Sequence, residues 1–311
     1  MKKWLKALLR RRTLADELPP LSGKVLEDEP LARKTWFGVG GPAEVYFEPA
    51  DVPDLERLIR AFPNEPLTIL GAGSNVLVLD GGVPGITVHL GKPFATVQVD
   101  GDRLICGAGV SVMEIARVAE KHHIAGFEFL SGIPGSLGGG IRMNAGAFGQ
   151  SLSDRMINLT AMTANGDLTE INPREMTIFE YRKCYLPDNW IFLEAVLQGT
   201  LTDDVDGIRQ KTAEYKQRRE AAQPQGVRTA GSTFKNPDGL MAWKLIDKAG
   251  LRGTRVGHAR VSDKHANFLI NEGGASARDI EALGEIIRRK VWDEQGVHLE
   301  WEVKKLGVRK G

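Results

Sequence analysis

This 311-residue chain has little of what several protein classes require. It holds only two cysteines, Cys106 and Cys184, which give neither a disulfide framework nor a metal-ligand spacing. They are expected as reduced thiols. The six histidines form no ligand pattern; His258 and His265 stand apart across an expected turn. No run approaches the ~20 apolar residues of a membrane span. The basic, amphipathic N-terminus offers only Ala7-Leu8-Leu9 as an apolar run, too short for a secretory core. It is read as a solvated leader helix, without stable membrane insertion. Charge of either sign is not in excess: 41 Lys+Arg face 40 Asp+Glu, for a formal net charge of +1. Nothing electrostatic therefore points to nucleic acid. Internal repeats and low-complexity segments are also missing.

What is there in quantity is glycine. Residues 131–149 hold seven of the chain's 36. Glycine lets the backbone approach a ligand closely and adopt positive φ. Such density is costly in a helix or strand, so the run is expected to be a loop built around a phosphate-bearing cofactor. The remaining composition, 42% hydrophobic and 26% charged, is that of a globular chain long enough for two or three domains.

Periodicity gives mixed α+β without regular alternation. Strands are expected at 44–47, 67–70, 76–79, 86–90, 96–99, 103–106, 157–163, 167–171, 191–199, near 266–270 and at 299–306. Helices are expected at 51–62, 111–125, 205–220, near 240–249, and from Ser276 onward, where Asp279 completes a capping pair. Gln223-Pro224-Gln225-Gly226 reads as a domain boundary.

Two further motifs carry chemistry. Gly71-Ala72-Gly73-Ser74-Asn75 follows a buried strand and exposes backbone N–H groups suited to a pyrophosphate. A β-type run follows it, so it is not the Rossmann fingerprint, which needs a helix there. Gly231-Ser232-Thr233-Phe234-Lys235-Asn236-Pro237 contains a Ser-x-x-Lys spacing. Asn236-Pro237 stops the helix that a serine acyl-enzyme requires, and its partner motifs are missing.

Taken together, Gly-Ala-Gly-Ser-Asn (71–75), Gly-Ile-Pro-Gly-x-x-Gly-Gly (132–139), Met-Asn-Ala-Gly-Ala (143–147) and Gly-Ser-x-Phe-Lys-Asn-Pro (231–237) resemble one family. It is the UDP-N-acetylenolpyruvoylglucosamine reductase (MurB) family, in its shorter branch, and the likeness runs in order through nearly everything after residue 20. The resemblance implies an α+β FAD-binding fold of the vanillyl-alcohol-oxidase type, with two α+β subdomains and a third α+β substrate-binding domain. The implied divisions are a leader at 1–20, a first FAD subdomain at 21–79 joined by 302–311, a second at 80–222, and a substrate domain at 223–301.

It further implies a cytoplasmic enzyme with FAD and NADPH, acting on a small UDP-sugar in peptidoglycan precursor synthesis. Hydride passes from NADPH to FAD, then from the flavin to C3 of the enolpyruvyl ether, and a proton is added at C2. By motif, Ser232 becomes the proton donor, Arg182 the carboxylate and enolate clamp, and Glu302 an acid beside it. A glutamate facing an anion is expected to have a raised pKa. Gly71, Ala72, Gly73, Ser74, Asn75, Gly107, Gly132, Gly135, Ser136, Gly139, Asn144, Ala145 and Gly146 are implied FAD contacts. Tyr181, Arg219, Gln223, Lys235 and Asn236 are implied substrate contacts. Two positions depart from the family pattern: Gly38 and Lys304 stand where arginine is usual. The alternatives are another flavin oxidoreductase of the same fold, or a non-catalytic nucleotide-binding regulator.

Overall fold

The computed structural model describes residues 13–63 and 65–311. The leader helix expected at 1–12 lies outside these residues.

The first unit is a four-stranded sheet in the order Lys24–Pro30, Pro42–Glu48, Val83–Val88, Leu67–Ile69. The first pair is antiparallel and the other two are parallel. Parallel neighbours need a crossover, and helix Val52–Ala61 supplies it. Asp51 caps that helix by accepting from the Asp54 amide, and Leu55, Leu58 and Ile59 are buried on the sheet side. Strand Val83–Val88 belongs to this sheet, so the chain leaves the first unit after residue 88. The boundary expected between 79 and 80 is corrected accordingly: Val83, Ile86 and Val88 pair with Ala43, Val45 and Phe47.

The second unit is a five-stranded antiparallel sheet, ordered Leu168–Ile171, Met156–Met162, Ile191–Gln198, Arg103–Gly107, Val97–Asp100. Helix Val112–Lys121 buries Val112, Ile115, Ala116 and Ala119 in a core continuous with that of the first unit. It ends earlier than periodicity suggests. His123 turns to φ +60, and Ile124–Ala125 pair instead with Thr200–Leu201.

The glycine run holds the largest correction. Leu137–Arg142 is an α-helix inside the segment expected to be loop. Leu137 and Ile141 are fully buried, while Gly138 and Gly140 allow close approach. A Cβ on Gly138 would lie 3.2 Å from the Ala108 Cβ, and one on Gly140 would lie 2.8 Å from Leu152 Cδ1. Tertiary packing overrides the poor intrinsic propensity of glycine here.

The third unit packs helices Ala242–Lys248 and Ala277–Gln295 on a small sheet of 255–256, 259–261 and 269–271. Its core includes Phe37, Val39 and Leu77 from the first unit. Asp80 accepts from the Ala277 and Arg278 amides, both at 2.9 Å, and so anchors the start of the long helix. The closing strand is shorter than expected. Only Lys304–Leu306 pairs, in parallel, with Val76–Val78. Residues 299–303 run beside the 232–235 loop instead, where the Glu302 amide donates to the Thr233 carbonyl.

Candidate active site

All three units border one cavity of about 750 Å³, within the range of ligand pockets. One wall is the 71–75 turn. Gly73 takes φ +66, and a Cβ there would sit 2.0 Å from the Lys34 carbonyl. A Cβ on Gly71 would lie 2.5 Å from Ser136 Oγ. Ser74 Oγ donates to the Pro134 carbonyl at 3.2 Å, tying this turn to the glycine run opposite. Gly135, Ser136, Gly138, Gly139 and Gly140 line that second wall, with Ala145 and Gly146 further on. Two glycine-lined backbones facing each other at this spacing suit an extended, phosphate-bearing cofactor such as FAD.

The cavity also meets charged side chains. Arg182 Nε donates to Glu302 Oε1 at 2.8 Å, Nη2 to the Gly146 carbonyl at 2.9 Å, and Nη1 to the Asn144 carbonyl at 3.4 Å. A guanidinium has five N–H donors, so two remain for an anion. Arg182 sits at φ +57, and Asn144 and Phe148 also take positive φ. Each such non-glycine residue costs about 1 kcal/mol. Burial pushes the Glu302 carboxyl above its ordinary range, against the pull of Arg182 and Lys235. This rise comes from desolvation in the ligand-free protein, whereas the expectation concerned the carboxyl facing a bound anion.

Ser232 lines the same cavity. Its loop is stapled by buried Asn267, which accepts from the Phe234 amide at 3.0 Å and donates to the Phe234 carbonyl at 2.8 Å. Ser232 itself bridges to Phe268. Arg219 projects from the end of helix Val205–Ala222 and reaches Gln223 Oε1 at 3.1 Å; both line the cavity. Burial, and then the like charge of Arg182, push its guanidinium pKa down.

Six expected contacts fall outside the cavity lining. Gly107 packs under the Phe94 carbonyl, 2.2 Å from where its Cβ would be. Gly132 makes room for the Arg219 stem, 2.5 Å from its own Cβ position. Asn144 is buried and donates to the Glu180 carbonyl at 3.1 Å. Tyr181 is exposed, beneath the Arg182 guanidinium. Lys235 pairs with Glu300 at 3.1 Å. Asn236 Oδ1 accepts from the Ala242 amide, at the start of a helix.

Sequence reasoning passed over Arg142, which lines the cavity, donates to the Leu186 and Trp190 carbonyls, and lies over the Phe192 ring at 4.4 Å. It also passed over Phe148, which is stacked on Tyr215 at 4.0 Å with a 5° interplanar angle. The helical phase of 137–142, once known, is the signal that finds Arg142. At the two unusual positions, Gly38 takes φ +68 with Arg228 Cδ 3.2 Å from its Cβ site, and Lys304 lines the cavity.

Two family models match. Residues 223–306 match the C-terminal domain of UDP-N-acetylenolpyruvoylglucosamine reductase, and residues 43–172 match an FAD-binding domain. A protein of Paramagnetospirillum magneticum named UDP-N-acetylenolpyruvoylglucosamine reductase is 48% identical over 95% of this chain and 96% of its own. One of the same name from Rhodospirillum rubrum is 48% identical over 97% and 96%. The crystal structure of the Thermus caldophilus reductase superposes with a TM-score of 0.80 at 33% identity, covering 92% of this chain and all of that one.

Proposed function

The chain belongs to the UDP-N-acetylenolpyruvoylglucosamine reductase family, and from that premise we propose that it reduces this UDP-sugar enol ether to the lactyl ether, UDP-N-acetylmuramate, using bound FAD and electrons from NADPH. The observation that carries the reading is the Arg182–Glu302 pair, which lines the same cavity as Ser232 and the two glycine-lined walls.

A bound flavin would supply the two-electron transfer that links NADPH to C3 of the substrate. The backbone of 71–75 and 135–140, which lines the cavity on two sides, would hold the cofactor's diphosphate. Arg182 offers its two unused N–H groups to the substrate carboxylate, where negative charge grows as hydride arrives. Ser232 delivers its hydroxyl proton to C2. A serine hydroxyl is a weak acid, so it transfers a proton only to a strongly basic centre, which the carbanion-like C2 is. Glu302, whose carboxyl burial pushes above its ordinary range, holds Arg182 in place through Oε1. Arg219 is half-buried, with the neutral Gln223 amide as partner and the like charge of Arg182 nearby, so an anionic ligand would relieve it. The cofactor seat is assigned to the first two units and the sugar nucleotide to the third. Among the described residues no helix is long and apolar enough to cross a membrane.

The test is anaerobic. The purified flavoprotein is reduced with NADPH, then mixed with UDP-N-acetylenolpyruvoylglucosamine. Stoichiometric reoxidation of the flavin is expected. Bound flavin that is reduced but not reoxidised by this substrate overturns the reading.

A further inference from the structure

Arg182 is carried by a very small element. Residues 179–184 form a hairpin of two pairs, Phe179 with Cys184 and Glu180 with Lys183. Two-stranded hairpins are marginal on their own. Several of its contacts are internal or immediately adjacent: Tyr185 bonds back to the Ile178 carbonyl and to the Glu180 carboxylate, and Lys183 covers the Tyr185 ring. Among the described residues, the Asn144 side chain makes the one hydrogen bond to the hairpin backbone from a distant segment, Nδ2 to the Glu180 carbonyl at 3.1 Å.

Asn144 is in turn fixed. Its Oδ1 accepts from the Ser153 amide at 3.1 Å, it is 6% exposed, and its φ is +40. Asparagine is among the few non-glycine residues that tolerate this region. Its own carbonyl accepts from Arg182 Nη1. One residue thus grips the hairpin two positions before Arg182 and also receives the guanidinium at the tip.

We propose that Asn144 is a positioning residue for the reduction, aiming Arg182 by clamping the 179–184 hairpin to the 144–153 segment, rather than a contact of the cofactor. This rests on the function proposed above for Arg182. Glycine and aspartate are the informative replacements. Asn144→Gly suits the positive φ and removes both side-chain bonds. Asn144→Asp keeps the shape and the acceptor for Ser153 but loses the donor to Glu180.

The experiment compares both variants, as flavin-loaded protein, with the natural chain. The expected result has three parts. Amide hydrogen exchange across 179–185 speeds up while that of the 71–75 and 135–140 walls does not. Flavin reoxidation by UDP-N-acetylenolpyruvoylglucosamine slows by about tenfold or more relative to flavin reduction by NADPH, the scale expected for a mispositioned catalytic group. Adding Arg182→Lys to either variant gives no multiplied loss, because both changes act through one guanidinium. Unchanged exchange in the hairpin, a rate ratio within about threefold of the natural chain, multiplicative losses, or flavin lost in proportion to activity overturns the proposal. Should Asn144→Gly fail to fold, the near-isosteric Asn144→Asp decides. Should the natural protein not reoxidise with this substrate, the function reading fails, and hydrogen exchange still decides whether Asn144 clamps the hairpin.

Discussion

Arg182 Nε lies 2.8 Å from Glu302 Oε1, although 120 residues separate the two in the chain. The pair joins the hairpin from the second unit to the segment that returns after the third. Asn75 fastens that segment by donating to the Glu302 carbonyl and accepting from the Lys304 amide. The 71–75 turn and the Glu302 segment are therefore held together by one side chain and one carbonyl.

The balance at Glu302 has a measurable sign. Burial raises its folded-state pKa despite Arg182, so the ionised form is the disfavoured one. Its contribution to stability is complete below the ordinary glutamate value of about 4.3 and is lost as pH rises through the raised value. Glu302→Gln does not titrate. The difference in melting temperature, variant minus natural chain, is expected to become more positive from about pH 4 to pH 7. A difference that becomes more negative over that window means the guanidinium, not burial, sets the charge of Glu302.

If Ser232 is the proton donor proposed above, Ser232→Ala is expected to separate proton delivery from hydride arrival. The loop keeps its staples to Asn267, which use backbone groups of Thr233 and Phe234. Flavin content and reduction by NADPH are expected to persist. Reoxidation by the enol ether should slow by about 10²- to 10⁴-fold, the range for loss of a positioned general acid. Rapid-mixing absorbance measurements on each half-reaction check this. Loss confined to the NADPH half removes Ser232 from the proton step.

Arg219 is expected to trade stability against binding. In the free protein its half-buried charge lies near Arg182, with the neutral Gln223 amide as its hydrogen-bond partner. Arg219→Met retains most of the stem that fills the space beside Gly132 and removes the charge. The melting temperature of the ligand-free flavoprotein should not fall, while the substrate Kd rises about tenfold, or ~1.4 kcal/mol. Titration followed by flavin absorbance, together with thermal melts, measures both. A lower melting temperature with unchanged Kd assigns Arg219 to packing alone.

Much of this architecture was legible in the chain because it is locally encoded. Ser276 and Asp279 form the expected capping box, and Val112, Ile115, Ala116 and Ala119 are the buried face that spacing predicts. The two glycine motifs do face one cavity. What sequence could not separate is a motif residue that touches a ligand from one that touches another motif. Gly132 serves the Arg219 stem, Asn236 a helix start and Asn144 the hairpin, each through a neighbour placed only by the fold. The 179–184 hairpin is too short to show periodicity. The 24–30 strand, read in isolation, alternates too weakly, with no fully buried position.

Adjacent glycines in helix Leu137–Arg142 should respond to alanine with opposite signs. At Gly139 a Cβ meets nothing closer than Ser136 Oγ at 3.5 Å, an ordinary contact, and it faces the cavity. Alanine there gains helix propensity of roughly 0.5–1 kcal/mol, so the flavin-free protein should melt higher. The same methyl takes space along the cofactor wall, so FAD affinity should fall. At Gly140 the Cβ lies 2.8 Å from Leu152 Cδ1, and Leu152 is fully buried. Crowding of that kind costs about 1–3 kcal/mol, more than the propensity gain, so Gly140→Ala should melt lower with or without FAD. Thermal melts of flavin-free protein and FAD titrations of both variants make the check. A Gly139→Ala protein that binds FAD as tightly as the natural chain removes residues 138–140 from the cofactor wall.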